Sequence, residues 1–223
     1  IIMAGGFGKR LSPFTNILPK ALIPIKKKTV IELIIDKFLN YGVNNFILSI
    51  NFKSEIIKAF FREKKPDYKV TFIEEKKPLG TIGSLSLLKK KKFKNIFLAN
   101  CDTISKVDYS KLVKYHLDNN NDITIVAINK NSIIPYGVIN LNKQNKFKFI
   151  EEKPKYKYLA NAGLYMIKSS LINKIPKNKF LNTTDFIKKL SKSITIGIYT
   201  IKESQWVDVG QWEEFEKTIK RFK

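Results

Sequence analysis

Three glycines, Gly5, Gly6 and Gly8, follow a short apolar run, and a charged pair, Lys9 and Arg10, comes directly after them. A strand that feeds a glycine-rich loop can turn backbone N–H groups toward phosphate oxygens. Glycine permits the positive φ angles and the close approach this requires. An ordinary glycine turn accounts for the three glycines alone equally well. The charges beside them add to the case for an anion. Arg10 is one of only three arginines in the chain, and its planar fork suits paired phosphate oxygens; Lys20 supplies a compact point charge. Two familiar phosphate loops are excluded, because the dinucleotide fingerprint spaces its glycines differently and the Walker loop ends in Gly-Lys-Ser/Thr. Asp102 follows the apolar run Ile96–Ala99, which places it at the carboxyl end of a strand, where open α/β sheets gather their ligands. A turn or helix cap explains Asp102 alone, and a turn explains Asp208 alone. Covalent chemistry has little to work with. Cys101 and His116 are the only residues of their kinds, and no Ser-His-Asp or Cys-His constellation can be assembled around them. His116 reads as structural.

The elements that must position these groups are legible from periodicity. Ile1–Ala4, Phe46–Ile50, Val70–Ile73 and Ile96–Ala99 read as buried strands. Thr29-x-x-Glu32 is a capping box opening a helix over Val30–Tyr41, with Gly42 placed to end it. Ser54–Arg62 and Ile82–Leu88 read as shorter helices, and Asp108 is placed to cap a helix through Leu117. This alternation predicts a parallel sheet with helices on both faces. After residue 120 the texture changes. Asp122–Ile128, Gly137–Leu141, Phe147–Glu151 and Gly163–Ile167 read as strands with few helices between them, hence antiparallel additions to the sheet. A helix over Thr184–Leu190, a strand over Ile194–Ile201 and a last helix from about Gln211 complete the prediction. The 223 residues fit one domain, with 43% hydrophobic residues to fill its core.

The net charge of +23 alone would suit nucleic acid, an anionic membrane or small anionic substrates. Nearly all of it is lysine scattered along the whole length. The two runs, Lys26–Lys28 and Lys89–Lys92, are not interleaved with aromatics as a single-strand binder requires. A solvated lysine-rich surface is the better reading, and no nucleic-acid partner is expected. No apolar run approaches the ~20 residues of a membrane helix, so no membrane partner is expected. No signal-peptide pattern opens the chain, and one cysteine precludes an internal disulfide; both point to the cytoplasm.

The motifs taken together resemble the sugar-1-phosphate nucleotidyltransferases. The resemblance is carried by Gly-Gly-x-Gly-x-Arg-Leu, then Pro19-Lys20, "EEKKPLGTIGSL" over 74–85, "NCD" over 100–102, "IPYGVI" over 134–139, "EEKP" over 151–154, "NAGLY" over 161–165 and "WVDVG" over 206–210, all in family order. It implies a three-layer, Rossmann-like fold similar to glycosyltransferase-A, with a mixed sheet. It implies that the oxygen of a sugar 1-phosphate attacks the α-phosphorus of a nucleoside triphosphate and that pyrophosphate leaves. Arg10, Lys20 and Asp102 would be catalytic. Ala4, Gly5, Gly6, Gly8, Arg10, Glu75, Gly80 and Thr81 would bind the nucleotide. Tyr136, Gly137, Glu152, Lys153, Asn161 and Gly163 would bind the sugar phosphate. Asp102 and Asp208 would hold Mg²⁺. Lys9, Ala21, Cys101 and Ala162 depart from residues common in the family, and none of them removes a charged catalytic group.

Within the family the motifs look most like the guanylyltransferases that feed bacterial legionaminic acid synthesis. This implies GTP and glucosamine 1-phosphate, with other nucleotides and acceptors as alternatives, and a non-catalytic regulatory relative as the alternative of another class. Glu75 could accept from a guanine N1–H and amine, and Glu152 could pair with a protonated 2-amino group. Ile1–Ala4 reads as the end of a strand whose beginning is missing. The expectation is therefore a single nucleotidyltransferase domain over 1–223, the catalytic fragment of a longer chain. A homo-oligomer and a tandem pair of CBS domains ahead of residue 1 are the further partners the resemblance allows.

Overall fold

The computed structural model describes residues 1–88, 93–211 and 216. In chain order the strands are β1 (Ile2–Met3), β2 (Pro24–Ile25), β3 (Lys28–Thr29), β4 (Asn45–Ile50), β5 (Lys69–Glu74), β6 (Asn95–Asn100), β7 (Thr103–Ser105), β8 (Ile123–Ile133), β9 (Val138–Leu141), β10 (Phe147–Glu151), β11 (Lys155–Lys168), β12 (Ile196–Lys202) and β13 (Trp206–Asp208). The helices are α1 (Phe14–Ile17), α2 (Val30–Leu39), α3 (Ser54–Lys64), α4 (Gly80–Gly83), α5 (Tyr109–Asp118) and α6 (Thr183–Leu190).

Seven strands form one mixed sheet in the order β12-β8-β11-β6-β1-β4-β5. The strands β6, β1, β4 and β5 run parallel, β11 runs antiparallel to both β6 and β8, and β12 is parallel to β8. Successive side chains on a strand face opposite ways, and the two cores follow from that. Ile2 packs with α2, α3 and α5 on one face, through Ile31, Ile35, Phe38, Ile57, Phe61 and Leu112. Its neighbour Met3 packs on the other face with Ile82, Leu85, Leu171 and Phe186, which come from α4, two 3₁₀ turns and α6. The result is the expected three-layer α/β arrangement.

Local signals explain several boundaries. The Thr29–Glu32 capping box forms in both directions, and Asp108 accepts from the Lys111 N–H at 3.0 Å. Gly42, at φ 75°, follows α2. Elsewhere the structure differs from expectation. The predicted helix over Ile82–Leu88 is a single α turn, α4, followed by a 3₁₀ turn over Ser84–Leu87. Strands β8 and β11 extend well beyond the predicted Asp122–Ile128 and Gly163–Ile167 as a paired ribbon. The β9–β10 hairpin is a separate two-stranded sheet rather than an addition to the central one. The expected helix from Gln211 and the run Lys89–Lys92 lie outside the described residues.

Candidate active site

The carboxyl ends of the parallel strands β1 and β6 open onto a cavity of about 390 Å³. The glycine loop forms one wall. Gly8 sits at φ 65°, and an added Cβ there would stand 2.8 Å from Thr15 and 3.0 Å from Lys20. Only glycine suits that combination of left-handed backbone and close approach. The Gly8 carbonyl accepts from the Leu11 N–H at 2.9 Å and from the Thr15 hydroxyl at 3.2 Å, which fixes the loop's exit. Gly6 has open space where its Cβ would be. The loop begins at Ala4, whose N–H bonds to Ser49 at 2.7 Å and ties it to β4.

Opposite the loop lies the segment after β5. Glu75 is buried, and both its oxygens carry partners: Ser49 Oγ donates to one at 2.6 Å and the Leu79 N–H to the other at 2.8 Å. The carboxylate thereby braces the turn that presents Gly80 and Thr81 to the cavity. Gly80 has φ 78°, and its missing side chain leaves room for the Leu181 backbone. The Thr81 hydroxyl accepts from the Thr183 N–H at 2.8 Å, so it anchors the start of α6. The chain from Leu181 into α6 is therefore stitched onto α4, and Phe180 and Asn182 complete that side of the cavity.

Four charged side chains meet where the cavity opens. Lys20 Nζ lies 2.5 Å from Asp102 Oδ2, in a pair whose side chains are 9% and 18% exposed. Arg10 stands 3.8 Å from the same oxygen, and its side chain is 62% exposed. Asp208 reaches this point through pairing of β13 with β7, which sets Asp208 opposite Thr103, while the Val209 N–H bonds to the Asp102 carbonyl at 2.8 Å. Gly210 reports the convergence. A Cβ there would stand 2.8 Å from Asp102 Oδ2 and 2.9 Å from Asp208 Oδ1, and closer still to Lys20 Nζ. The two carboxylates thus face one spot. Hard divalent cations such as Mg²⁺ take oxygen ligands, often one or two carboxylates with substrate phosphates and waters filling the rest. The donor set fits such an ion. Among the described residues no group of three or more His, Cys, Asp or Glu side chains is placed to hold a metal ion, so these two carboxylates would be the protein's acidic contribution.

The cysteine beside this centre is poorly suited to act as a nucleophile. Cys101 is buried, and burial, followed by the adjacent Asp102 charge, pushes its thiol up to about 12. Thiolate chemistry needs the opposite shift.

The residues expected to hold a sugar phosphate divide into two groups. Asn161 and Gly163 belong to the central sheet. The Asn161 amide donates to Tyr165 Oη at 2.6 Å and its carbonyl accepts from the Gly163 N–H at 3.0 Å, across an irregularity in the β8–β11 pairing. Gly163 abuts the Asn100 side chain, which itself lines the cavity. Tyr136, Gly137, Glu152 and Lys153 lie on and beside the β9–β10 hairpin. Gly137 faces Glu152, whose Oε2 would be 2.9 Å from an added Cβ, and Tyr136 is 74% exposed. None of these four lines the cavity. The structure adds residues not singled out in the sequence. Asn100 and Gly210 lie inside quoted motifs and were within reach. Phe180 and Asn182 lie outside every motif, and only the packing of the Leu181–Asn182 segment on Gly80 and the lining of the cavity reveal them.

Among the described residues no helix is long and apolar enough to cross a membrane. The profile of the family described as "Nucleotidyl transferase" matches residues 1–222. The chain is 30% identical to the probable mannose-1-phosphate guanylyltransferase 1 of Oryza sativa subsp. japonica, over 96% of this chain and 62% of the relative. It is 28% identical to the D-glycero-alpha-D-manno-heptose 1-phosphate guanylyltransferase of Campylobacter jejuni, over 96% of each. The chain thus spans about three-fifths of the mannose-1-phosphate guanylyltransferases it matches. Among solved structures it is similar to HddC from Yersinia pseudotuberculosis, also solved in complex with GMP-PN. The TM-score is 0.78 at 26% identity, covering all of this chain and 98% of that one.

Proposed function

Because the chain belongs to the nucleotidyl transferase family, we propose that it transfers a nucleoside monophosphate from GTP to a sugar 1-phosphate, forming a GDP-sugar and releasing pyrophosphate. The observation that carries this reading is the convergence of Lys20, Asp102 and Asp208 on one spot at the cavity mouth, with Arg10 beside it. A reaction at a triphosphate gathers negative charge, and catalysis of it is mostly positioning and electrostatic stabilisation.

In this reading the glycine loop and Arg10 hold the triphosphate, Arg10 swinging from its exposed position onto phosphate oxygens as a fork. Lys20 meets the α-phosphate region, fixed from behind by Asp102. Asp102 and Asp208 would hold Mg²⁺, which when bound supplies positive charge against the triphosphate. The attacking oxygen already belongs to a phosphate that is ionised at neutral pH, so no general base is required.

Guanine as the base is supported by the relatives named above. Glu75 braces the Leu79–Thr81 turn, and because each of its oxygens accepts one hydrogen bond and keeps one lone pair free, it would also accept from a guanine N1–H and amine. For the acceptor, glucosamine 1-phosphate remains the motif-based reading, with Tyr136, Gly137, Glu152, Lys153, Asn161 and Gly163 as its pocket. A second reading is a manno-configured acceptor, favoured by the mannose and manno-heptose phosphates in the relatives' names. The test is kcat/KM across four triphosphates and the 1-phosphates of glucosamine, mannose, manno-heptose, glucose and N-acetylglucosamine. A preference for UTP or dTTP overturns the guanine reading. Equal use of glucose and glucosamine phosphates overturns the amino-sugar reading.

A further inference from the structure

The segment from Gly5 to Ile17, which carries the glycine loop and Arg10, has open space on both sides. Phe7 and Lys9 line the active-site cavity, and they also line a second cavity of about 380 Å³ with Ser12, Thr15, Asn16 and Phe52. A loop that walls off two spaces can shift away from its ligand unless something braces it. Leu11 and Thr15 are buried and pin the middle of the segment. Its two ends are held from outside, and by neighbouring residues. Phe52 meets the start: its N–H bonds to the Gly5 carbonyl at 3.4 Å, and its ring lies 5.0 Å from that of Phe7. Lys53 meets the far end: its ammonium donates to the Asn16 carbonyl at 2.6 Å and to the Ile17 carbonyl at 2.8 Å. These are the last carbonyls of α1, and a helix leaves such groups without partners of its own. A lysine ammonium suits them in sign and in donors.

The brace has a firm root. Phe52 and Lys53 follow β4 directly, and β4 is paired on one side with β1 and on the other with β5. The two side chains also meet each other, with the ammonium 5.4 Å from the Phe52 ring. Arg10 needs such a brace. Its side chain is 62% exposed and approaches Asp102 only to 3.8 Å, so its place is set by the backbone beneath it. We propose that Phe52 and Lys53 clasp the triphosphate loop from behind, and that Lys53 is a positioning residue for Arg10. This rests on the reading of the loop given under the proposed function. A misplacement of ~1 Å can cost about 100-fold in rate, which is what the clasp prevents. The ammonium keeps a third donor, so direct contact with a phosphate is the rival role, and the test separates the two.

Amide hydrogen exchange on the chain without ligand reads the clasp itself. In Lys53→Met, peptides spanning residues 7–18 should exchange at least about tenfold faster, while those of α2 and β4 keep their protection. Steady-state kinetics read the consequence. Lys53→Met should raise KM for the preferred triphosphate on the order of tenfold, the scale of losing a hydrogen bond to a charged group. KM for the sugar 1-phosphate should stay within about twofold. Lys53→Arg, which keeps charge and donors, should restore the protection and the triphosphate KM. With Arg10→Ala already in place, Lys53→Met should add less than about twofold, because residues that act through one another are not additive. Unchanged exchange or an unchanged triphosphate KM in Lys53→Met would overturn the proposal and leave the functional reading standing. So would a full further loss in the Arg10→Ala background, which would make Lys53 a direct phosphate ligand. A wild-type chain that turns over none of the four triphosphates would overturn the functional reading, and the proposal with it.

Discussion

Lys20 and Asp102 are held together at 2.5 Å, largely out of solvent, by a 3₁₀ turn over Lys20–Leu22 and the turn between β6 and β7, which lie far apart in sequence. A lysine in such a place is a fixed charge rather than a surface ornament. Replacing its partner frees the ammonium to reorient, and an amide still offers an oxygen to accept from it. Asp102→Asn should therefore reduce turnover by about 100-fold or more, the scale of losing one preorganised electrostatic group. The melting temperature should move by only a few degrees. Steady-state kinetics and thermal melts on the same preparation check both halves.

Gly210 carries no chemistry, yet it should be nearly as sensitive. A methyl group there would press on the Lys20 ammonium, Asp102 Oδ2 and Asp208 Oδ1 together. These are the free ends of side chains and can move aside, so the fold survives. Gly210→Ala should lose at least about tenfold in kcat through misplacement of charge, with little change in stability. Wild-type kinetics in that variant would detach the charged cluster from the reaction.

Gly80→Ala should fail in a different way. Its φ of 78° disfavours a side chain, and the Leu181 backbone occupies the space. That segment cannot yield as a side chain end can. The variant should melt several degrees lower and show a raised KM for the triphosphate, because Thr81, Phe180 and Asn182 lose their mutual register. A raised KM for the sugar phosphate alone would contradict this.

Stability should depend on pH through His116. Burial, and then the Lys168 charge, hold its pKa below the ordinary value, and Nδ1 pairs with Thr124 Oγ1 at 2.8 Å. The unfolded imidazole takes up a proton near pH 6.5, whereas the folded one resists until lower pH. Stability is therefore full above about 6.5 and falls as pH drops from there toward the folded pKa. Urea melts between about pH 7.5 and 5 should show this fall. His116→Gln, which cannot titrate, should flatten it.

Cys101 offers a simple control. Its buried, weakly acidic thiol should not react with iodoacetamide at pH 7.5 in the native state and should react fully in urea. Cys101→Ala should keep activity within about threefold, as for any residue outside the chemistry. A large loss with an unchanged melting temperature would reopen thiol catalysis.

The parallel half of the sheet was legible because each strand is a short buried apolar run bounded by helical patterns. Phe46–Ile50, Val70–Ile73 and Ile96–Ala99 all fall inside observed strands. The Thr29 and Asp108 caps were legible because capping is local. The helix over 82–88 was not, because the fate of that stretch depends on the backbone of 181, which packs on Gly80 and Gly83. The distal ribbon of β8 and β11 was missed because alternating Lys, Asn and Tyr give no apolar signal. At the site, the residues that meet at Gly210 could be named from motif order, but their convergence could not. It depends on the β7–β13 pairing, a long-range contact with no local trace.

The most direct test of the central claim is product stoichiometry. Purified protein with GTP, Mg²⁺ and a sugar 1-phosphate should yield one pyrophosphate for each GDP-sugar, counted together by ³¹P NMR and mass spectrometry. The same mixture with the Asp208→Asn variant should yield almost none of either. Release of inorganic phosphate or free GMP in place of that pair, or full yield from Asp208→Asn, would contradict attack at the α-phosphorus at this centre.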